Sequence, residues 1–263
     1  MSAILLDKTI IHYEALGRGR PIVFLHGWVG SWRYWISSMQ VASTSFRAYA
    51  LDLYGYGDTT HDPLNYSLDK QAALVSRFLD ELGIGKIAIV GHSLGALVGF
   101  YFATQQPASV DRIMAVNCPL DFNSINSRLK TDSPAGDLVD WLSDRSPESV
   151  SALSDASKAD PRALTAAMNS FQSDGLFSTL RTSQMPCLLV YGENDAAIQV
   201  PDVESTESFG LNLHQINLED SGHFPMVDGA ARFNRLLTDF LALDSGLSPR
   251  ELQLKEEWKR RVR

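Results

Sequence analysis

Short apolar runs alternate with longer amphipathic stretches along most of the chain. The runs have the length and composition of buried strands, whereas the longer stretches repeat apolar residues at helical spacing. The pattern predicts helices over residues 32–39, 68–82, 96–103 and 229–243. It predicts eight strands, at residues 4–6, 9–15, 22–25, 47–51, 86–90, 112–116, 187–191 and 214–218. Strands that alternate with helices predict an α/β fold, in which a mostly parallel eight-stranded sheet is covered by helices on both faces.

Residues 120–185 interrupt this alternation. They contain no convincing strand, but Ser146 and Asp160 each precede a proline, which is typical of a capping residue before the first turn of a helix. We therefore expect residues 1–119 and 186–243 to form the core and residues 120–185 to form an inserted helical cap.

The last twenty residues of the sequence, 244–263, predict an appended helix. Residues 248–251 read SPRE, a capping-box pattern with proline at the first helical position. Leu254, Trp258 and Val262 recur along one face, and the segment carries more basic than acidic residues. Such a helix could dock on its own core, pair with a second subunit or touch an anionic membrane surface.

Composition narrows the class of protein. The chain has 263 residues, 44% of them hydrophobic, which is long enough for one large domain with a sizeable core. A net charge of -8 argues against nucleic-acid binding. Because no signal peptide or membrane-spanning run is visible, we expect a soluble, cytoplasmic monomer or homodimer. The two cysteines, Cys118 and Cys187, are too few for a disulfide framework or a zinc site.

Residues 91–95 carry the first sign of chemistry. They read GHSLG and lie between an apolar run and a stretch compatible with a helix. In a strand-turn-helix setting, the serine of a G-x-S-x-G pattern sits on a tight turn, and the flanking glycines let the helix pack against its strand. The turn lifts the Ser93 hydroxyl clear of the backbone, which makes Ser93 the candidate nucleophile.

A serine hydroxyl is a weak nucleophile, so it needs a base and an acid that orients the base. His223 lies in a loop, residues 220–225, between the last predicted strand and the last core helix. Asp195 directly follows the preceding strand. Loops at the carboxyl ends of parallel strands meet at one edge of the sheet, so both side chains could converge on Ser93. The order Ser, Asp, His along the chain is typical of this constellation.

Five motifs together resemble the α/β-hydrolase family, and the resemblance extends over residues 3–243. The motifs are LHGW at 25–28, DLYGYG at 52–57, GHSLG at 91–95, YGEND at 191–195 and SGHF at 221–224. The resemblance implies that Ser93 is the nucleophile, His223 the base and Asp195 the orienting acid. Some members of the family carry the acid after an earlier strand, where this chain has Asp121.

The same resemblance implies further site residues. The backbone N–H groups of Trp28 and Leu94 would form the oxyanion hole. His26, His92 and Phe224 are candidates for the substrate pocket, although His26 could instead shape the oxyanion loop and His92 could bond locally. Neither a metal nor a cofactor is expected.

A serine at position 93 disfavours two classes of reaction, because epoxide hydrolases and haloalkane dehalogenases of this fold carry an aspartate nucleophile. We therefore expect a serine carboxylesterase that acts on a small or medium ester with a largely apolar acyl group. A methyl ester on a pantetheine arm stays open, because the predicted cap carries several basic residues. A lactonase and a carbon-carbon bond hydrolase would use the same triad, and a ligand-sensing receptor of this fold is the alternative from another class.

Overall fold

A computed structural model describes residues 2–131, 135–172, 184–208 and 210–252 of the chain. Its centre is an eight-stranded sheet with the strand order β1-β2-β4-β3-β5-β6-β7-β8. The β1–β2 and β2–β4 pairs are antiparallel, and all the other pairs are parallel. This confirms the predicted fold class. The strands are β1 (Ser2–Leu6), β2 (Thr9–Gly17), β3 (Arg20–Leu25), β4 (Phe46–Leu51), β5 (Ile87–His92), β6 (Val110–Val116), β7 (Cys187–Gly192) and β8 (Leu213–Leu218).

The central strands are largely apolar because both faces of the sheet are covered. Every residue of β5 and β7 is buried. Such continuous apolar runs are typical of parallel strands between two helical layers. Because β3, β5, β6, β7 and β8 are consecutive and parallel, their carboxyl ends form one edge of the sheet.

Helices cover the sheet. The α-helices are α1 (Ile36–Ala42), α2 (Leu68–Leu82), α3 (Leu94–Gln105), α4 (Ala135–Leu142), α5 (Pro147–Ala152), α6 (Pro161–Ser170), α7 (Val203–Glu207), α8 (Pro225–Asp228) and α9 (Ala230–Ala242).

One helix that the sequence predicts as a single element is divided in the structure. The first residues of the predicted helix 32–39 form a 3-10 turn, Trp32–Trp35, before α1 begins. Ser31 starts this turn by accepting a hydrogen bond from the backbone N–H of Arg33. At the other end of the chain, α9 lies within the predicted helix 229–243. A short helix that the sequence does not predict, α8, precedes it, and Gly229 separates the two with a non-helical backbone conformation.

The segment between β6 and β7, residues 117–186, is called the insertion below. Its described part contains α4, α5 and α6 and no strand of the sheet. Ser146 accepts a hydrogen bond at the start of α5, and Asp160 does so at the start of α6. Both helices therefore begin where the serine-proline and aspartate-proline pairs predict.

Buried carboxylates attach the insertion to the core. Asp155 accepts a hydrogen bond from Nε of Arg33 at 2.8 Å. Asp160 accepts one from the hydroxyl of Tyr66 at 2.8 Å, and its backbone N–H donates to the carbonyl of Gly55. Gly55 has a φ of +84°, and a Cβ there would lie 2.7 Å from the ring of Tyr66. A glycine is thus required where α6 rests on the core.

The described chain ends beside the edge strand β8. Ser248 donates to the carbonyl of Leu211, and Arg250 donates to the carbonyl of Gly210. Residues 249–252 form one short helical turn. The predicted helix over 244–263 lies mostly in residues 253–263, outside the described residues. Within the described ranges, none of the helices combines the length and the apolar character that crossing a bilayer requires.

Candidate active site

Ser93 occupies a strained turn between β5 and α3. Its φ of 52° and ψ of -110° lie outside the regions that non-glycine residues favour. A Cβ at Gly91 would lie 2.5 Å from the carbonyl oxygen of Gly95, and one at Gly95 would overlap the carbonyl oxygen of Leu25. The two glycines therefore allow the close approach of helix and strand that holds the serine in this conformation.

His223 and Asp195 meet at the carboxyl edge of the sheet. Nδ1 of His223 lies 3.0 Å from Oδ1 and 2.9 Å from Oδ2 of Asp195, and both side chains are buried. Oδ1 of Asp195 also accepts the backbone N–H of Ala197 at 2.7 Å and that of Ile198 at 3.2 Å. Backbone N–H groups of its own loop thus orient the carboxylate, which also accepts the imidazole N–H.

Asp121 has a different environment. It is exposed, and its Oδ1 accepts the backbone N–H groups of Asn123 at 2.6 Å and Ser124 at 2.9 Å. This is the geometry of a carboxylate that stabilises its own turn. Of the two candidate acids, the structure joins Asp195 to His223.

The hydroxyl of Ser93 is buried and has no hydrogen-bond partner among the described residues. The structure therefore joins Asp195 to His223 without a bond from His223 to Ser93. Such bonds are often long or absent before substrate binds. An unpartnered, buried hydroxyl on a strained turn is a group that a substrate or a base could engage.

The two residues predicted to supply the oxyanion donors lie in segments next to Ser93. Leu94 is the first residue of α3, where backbone N–H groups have no partner within the helix. Trp28 follows Gly27, and a Cβ at Gly27 would lie 3.1 Å from Cβ of Ser93. The loop that carries Trp28 therefore packs directly against the serine.

His26 is wholly buried, and both of its ring nitrogens have partners inside the protein. Nδ1 donates to the carbonyl of Gly27 at 2.8 Å, and Nε2 accepts the backbone N–H of Leu53 at 2.9 Å. Burial lowers the pKa of His26, against the opposing charge of Asp52. Its polar atoms thus join the oxyanion loop to the loop after β4, which is the arrangement expected of the alternative that His26 shapes the oxyanion loop, and they do not face a pocket.

His92 and Phe224 lie against the predicted base. The ring of His92 is 4.6 Å from that of His223 between centroids, and the ring of Phe224 is 5.1 Å from it. Both side chains are fully buried. Nδ1 of His92 contacts the hydroxyl of Tyr34 at 2.9 Å, and Nε2 contacts the carbonyl of His223 at 2.8 Å. His92 therefore bonds within the protein, and its polar atoms do not face a pocket.

Two buried residues at this edge are missing from the sequence prediction. Tyr34 stands in an aromatic stretch that fits core packing, and Asn117 directly follows β6. Nδ2 of Asn117 donates to the carbonyl of His223 at 2.9 Å. The φ of 45° at Asn117 marks a special backbone position, and its place after a central strand is the one signal in the sequence.

Within the described part of the chain, one group of side chains has ligand atoms close enough for a metal ion: His12, Asp52 and Asp58. Oδ2 of Asp52 contacts Nδ1 of His12 at 2.7 Å, and Oδ1 accepts the backbone N–H of Trp32 at 2.9 Å. Oδ1 of Asp58 pairs with Nζ of Lys158 at 2.8 Å. These donors already satisfy the carboxylates, so the group is a structural cluster.

Residues 22–236 match the model of the alpha/beta hydrolase family, and the chain belongs to that family. Epoxide hydrolase 4 of Homo sapiens is 26% identical over 280 residues, which cover 88% of this chain and 75% of the relative.

Solved structures of the same fold include two hydrolases of different named activity. N-acyl homoserine lactonase AidH gives a TM-score of 0.79 at 19% identity, covering 91% of this chain and 95% of the other. A thermophilic esterase from Thermogutta terrifontis gives a TM-score of 0.76 at 19% identity, covering 91% and 97%. At this identity the likeness shows the fold alone.

Proposed function

We propose that this α/β hydrolase cleaves carboxylic esters through an acyl-enzyme formed on Ser93, with His223 as base and Asp195 as the orienting acid. The observation that carries the proposal is the buried His223–Asp195 pair at the sheet edge where Ser93 stands on a strained turn. A base whose Nδ1 is held by a carboxylate has its Nε2 left for the serine proton.

In the first half of the proposed reaction, Oγ of Ser93 attacks the ester carbonyl carbon and its proton passes to Nε2 of His223. The carbonyl oxygen becomes negative and accepts hydrogen bonds from the backbone N–H groups of Trp28 and Leu94. When the intermediate collapses, the bond to the alcohol oxygen breaks. The imidazolium returns its proton to that oxygen, so the alcohol leaves neutral and the acyl group stays on Ser93.

In the second half of the reaction, a water molecule attacks the acyl-enzyme through the same steps. His223 takes a proton from the water as the oxygen attacks the acyl carbon. The bond to Oγ of Ser93 then breaks and the serine recovers its proton, which releases the carboxylic acid. Asp195 stays ionised throughout and stabilises the imidazolium that forms twice in each cycle.

The nucleophile separates this proposal from epoxide opening. The human relative is named an epoxide hydrolase, and epoxide hydrolases of this fold use an aspartate where this chain has Ser93. An alkyl-enzyme ester on a carboxylate has no counterpart on a serine, because the ether that would form there cannot be released by attack at a carbonyl. Ester cleavage therefore fits this chain better.

The proposed substrate is a small or medium ester with a largely apolar acyl group. Trp28 and Leu94 lie in the segments next to Ser93, and Phe224 lies against His223, so aromatic and aliphatic residues stand around the proposed triad. We further propose that the insertion acts as a cap over the site, because α5 and α6 are attached to the core through Asp155 and Asp160.

A panel of para-nitrophenyl esters of increasing acyl length, tested beside lactones, a carbon-carbon substrate and a styrene-type epoxide, tests the proposal. We expect the esters to give the highest kcat/KM and the Ser93→Ala variant to hydrolyse none of them above about one part in ten thousand of the wild-type rate. Faster turnover of the epoxide, or activity in Ser93→Ala above a tenth of wild type, would contradict it.

A further inference from the structure

A line of buried hydrogen bonds passes through His92, the residue before Ser93. The backbone N–H of Gly27 donates to the hydroxyl of Tyr34. That hydroxyl lies 2.9 Å from Nδ1 of His92, and Nε2 of His92 lies 2.8 Å from the carbonyl oxygen of His223. Tyr34 and His92 are both buried, so water does not compete for these bonds.

The direction of each bond follows from its ends. A carbonyl oxygen only accepts, so Nε2 of His92 carries the hydrogen that reaches His223. In a neutral imidazole the other nitrogen is then an acceptor, so the hydroxyl of Tyr34 donates to Nδ1. The oxygen of Tyr34 in turn accepts the N–H of Gly27. This direction of the bonds requires a neutral His92, and burial beside His223 lowers the pKa of His92 well below its ordinary value.

Three members of the line belong to the three parts of the proposed machinery. Gly27 directly precedes Trp28, whose N–H is a proposed oxyanion donor. His92 is the residue before Ser93. The carbonyl of His223 belongs to the proposed base itself. One side-chain pair, Tyr34 and His92, therefore links the oxyanion loop, the nucleophile turn and the base loop.

Asn117 holds the same carbonyl from another side. Its Nδ2 donates to the carbonyl of His223 at 2.9 Å and to that of Gly222 at 3.2 Å. Its Oδ1 accepts the backbone N–H of Gly192 at 2.9 Å, three residues before Asp195. The carbonyl of His223 thus receives two donors from buried side chains, which fixes the backbone from which the imidazole projects.

We propose that Tyr34 and His92 are positioning residues, which hold the oxyanion donors, the nucleophile and the base in mutual register during ester hydrolysis. This inference rests on the proposed function. A neutral His92 is suited to this place because a second positive ring beside His223 would oppose the imidazolium formed in each half-reaction. A displacement of about 1 Å is enough to slow such chemistry about a hundredfold.

Tyr34→Phe tests the line by removing one oxygen atom while the ring remains. We expect kcat to fall roughly 10- to 100-fold and KM to change by less than about threefold. Phosphonylation of Ser93 by a fluorophosphonate should slow by the same factor as kcat. Tyr54→Phe is the matched control, because it also removes a buried hydroxyl, one that contacts Thr9 and Arg77 instead. This control should keep wild-type kcat.

His92→Gln and His92→Leu test the second bond. The amide of glutamine can still donate toward the carbonyl of His223, whereas leucine cannot. We expect the glutamine variant to keep a kcat at least about tenfold above that of the leucine variant at equal melting temperature. Should the leucine variant fail to fold, the Tyr34→Phe result decides alone.

The outcomes separate this inference from the proposed function. If the fluorophosphonate does not label Ser93 in the wild-type protein, both fall. If it labels the wild type while Tyr34→Phe retains wild-type kcat and labelling rate, the positioning role is contradicted and the esterase proposal stands. A fall in kcat with unchanged KM in Tyr34→Phe, together with rescue by glutamine at position 92, supports the positioning role.

Discussion

Asp195 holds Nδ1 of His223 with both of its carboxylate oxygens, at 3.0 and 2.9 Å. A carboxylate in this position selects the tautomer of the imidazole whose Nε2 can accept a proton. Because the pair is buried, solvent screens it little, and the carboxylate can stabilise an imidazolium. This one contact turns a loop histidine into a candidate base.

Replacement of Asp195 by asparagine should lower kcat about 10³- to 10⁴-fold, because the amide favours the wrong tautomer and carries no charge. Asp121→Asn is the matched control, since it makes the same change in a carboxylate that stabilises only its own turn. We expect the control to remain within about threefold of wild type in the hydrolysis of a para-nitrophenyl ester. The opposite result would move the acid to Asp121.

Much of the fold and of the candidate site could be predicted because both depend on local pattern. Apolar runs predict the strands. Reactive residues that follow the ends of parallel strands meet at one edge of the sheet. Ser93, Asp195 and His223 all follow such ends. The residues that support this triad from other parts of the chain could not be predicted in this way.

Tyr34 and Asn117 are the clearest examples. Tyr34 reaches His92 across 58 positions of sequence, and Asn117 reaches His223 across 106. No rule of sequence spacing connects the residues of either pair, so the aromatic stretch that contains Tyr34 predicts only core packing. For His26 the sequence leaves both a pocket role and a structural role open, since a polar residue beside a catalytic loop gives no sign that Leu53 and Gly27 satisfy its ring nitrogens.

The contact between α6 and the core predicts how much stability depends on Gly55. Gly55→Ala should lower the free energy of unfolding by about 3 kcal/mol or more, because the residue has positive φ and its Cβ would press on Tyr66 and Ala163. Gly83 also has positive φ, but no atom lies within 4 Å of a Cβ there. Gly83→Ala should therefore cost only about 1 kcal/mol.

Urea unfolding of the two variants measures this difference. Equal losses of stability would show that the backbone conformation alone, and not the close packing of the insertion, requires glycine at Gly55. A lower ester turnover in Gly55→Ala at temperatures where the protein is folded would further support a cap role for the insertion.

Buried histidines predict a pH dependence of stability. Burial lowers the pKa of both His26 and His92 in the folded protein. When the pH falls below the ordinary histidine pKa of about 6.5, both rings become protonated in the unfolded chain but stay neutral in the folded protein. Their stabilisation is therefore fully present above about pH 6.5 and is lost as pH falls toward the folded pKa, by about 1.4 kcal/mol per pH unit for each ring.

His12 contributes a pH dependence of stability with the opposite sign. Burial opposes its charged form, but the hydrogen bond and charge of Asp52 raise its pKa overall. Its contribution is present below about pH 6.5 and is lost as pH rises through the folded pKa. Unfolding measured between pH 5 and 7.5 should give a shallower slope for His92→Gln than for wild type, and identical slopes would contradict the neutral state of His92.

Prolonged treatment with a chelator should leave ester hydrolysis within experimental error of the untreated protein. In the group formed by His12, Asp52 and Asp58, hydrogen bonds and a lysine already occupy the carboxylates, and the proposed mechanism needs no metal. Activity lost on chelation and restored by a divalent cation would show that the mechanism is incomplete.

Mass spectrometry of the acyl-enzyme tests the central claim most directly. A rapid-quench reaction with a para-nitrophenyl ester should add the mass of one acyl group to the protein, and peptide mapping should place it on Ser93. The Ser93→Ala protein should gain no acyl group and release no burst of para-nitrophenol. An acyl group on another residue, or a wild-type protein that turns over esters with Ser93 never acylated, would contradict the account.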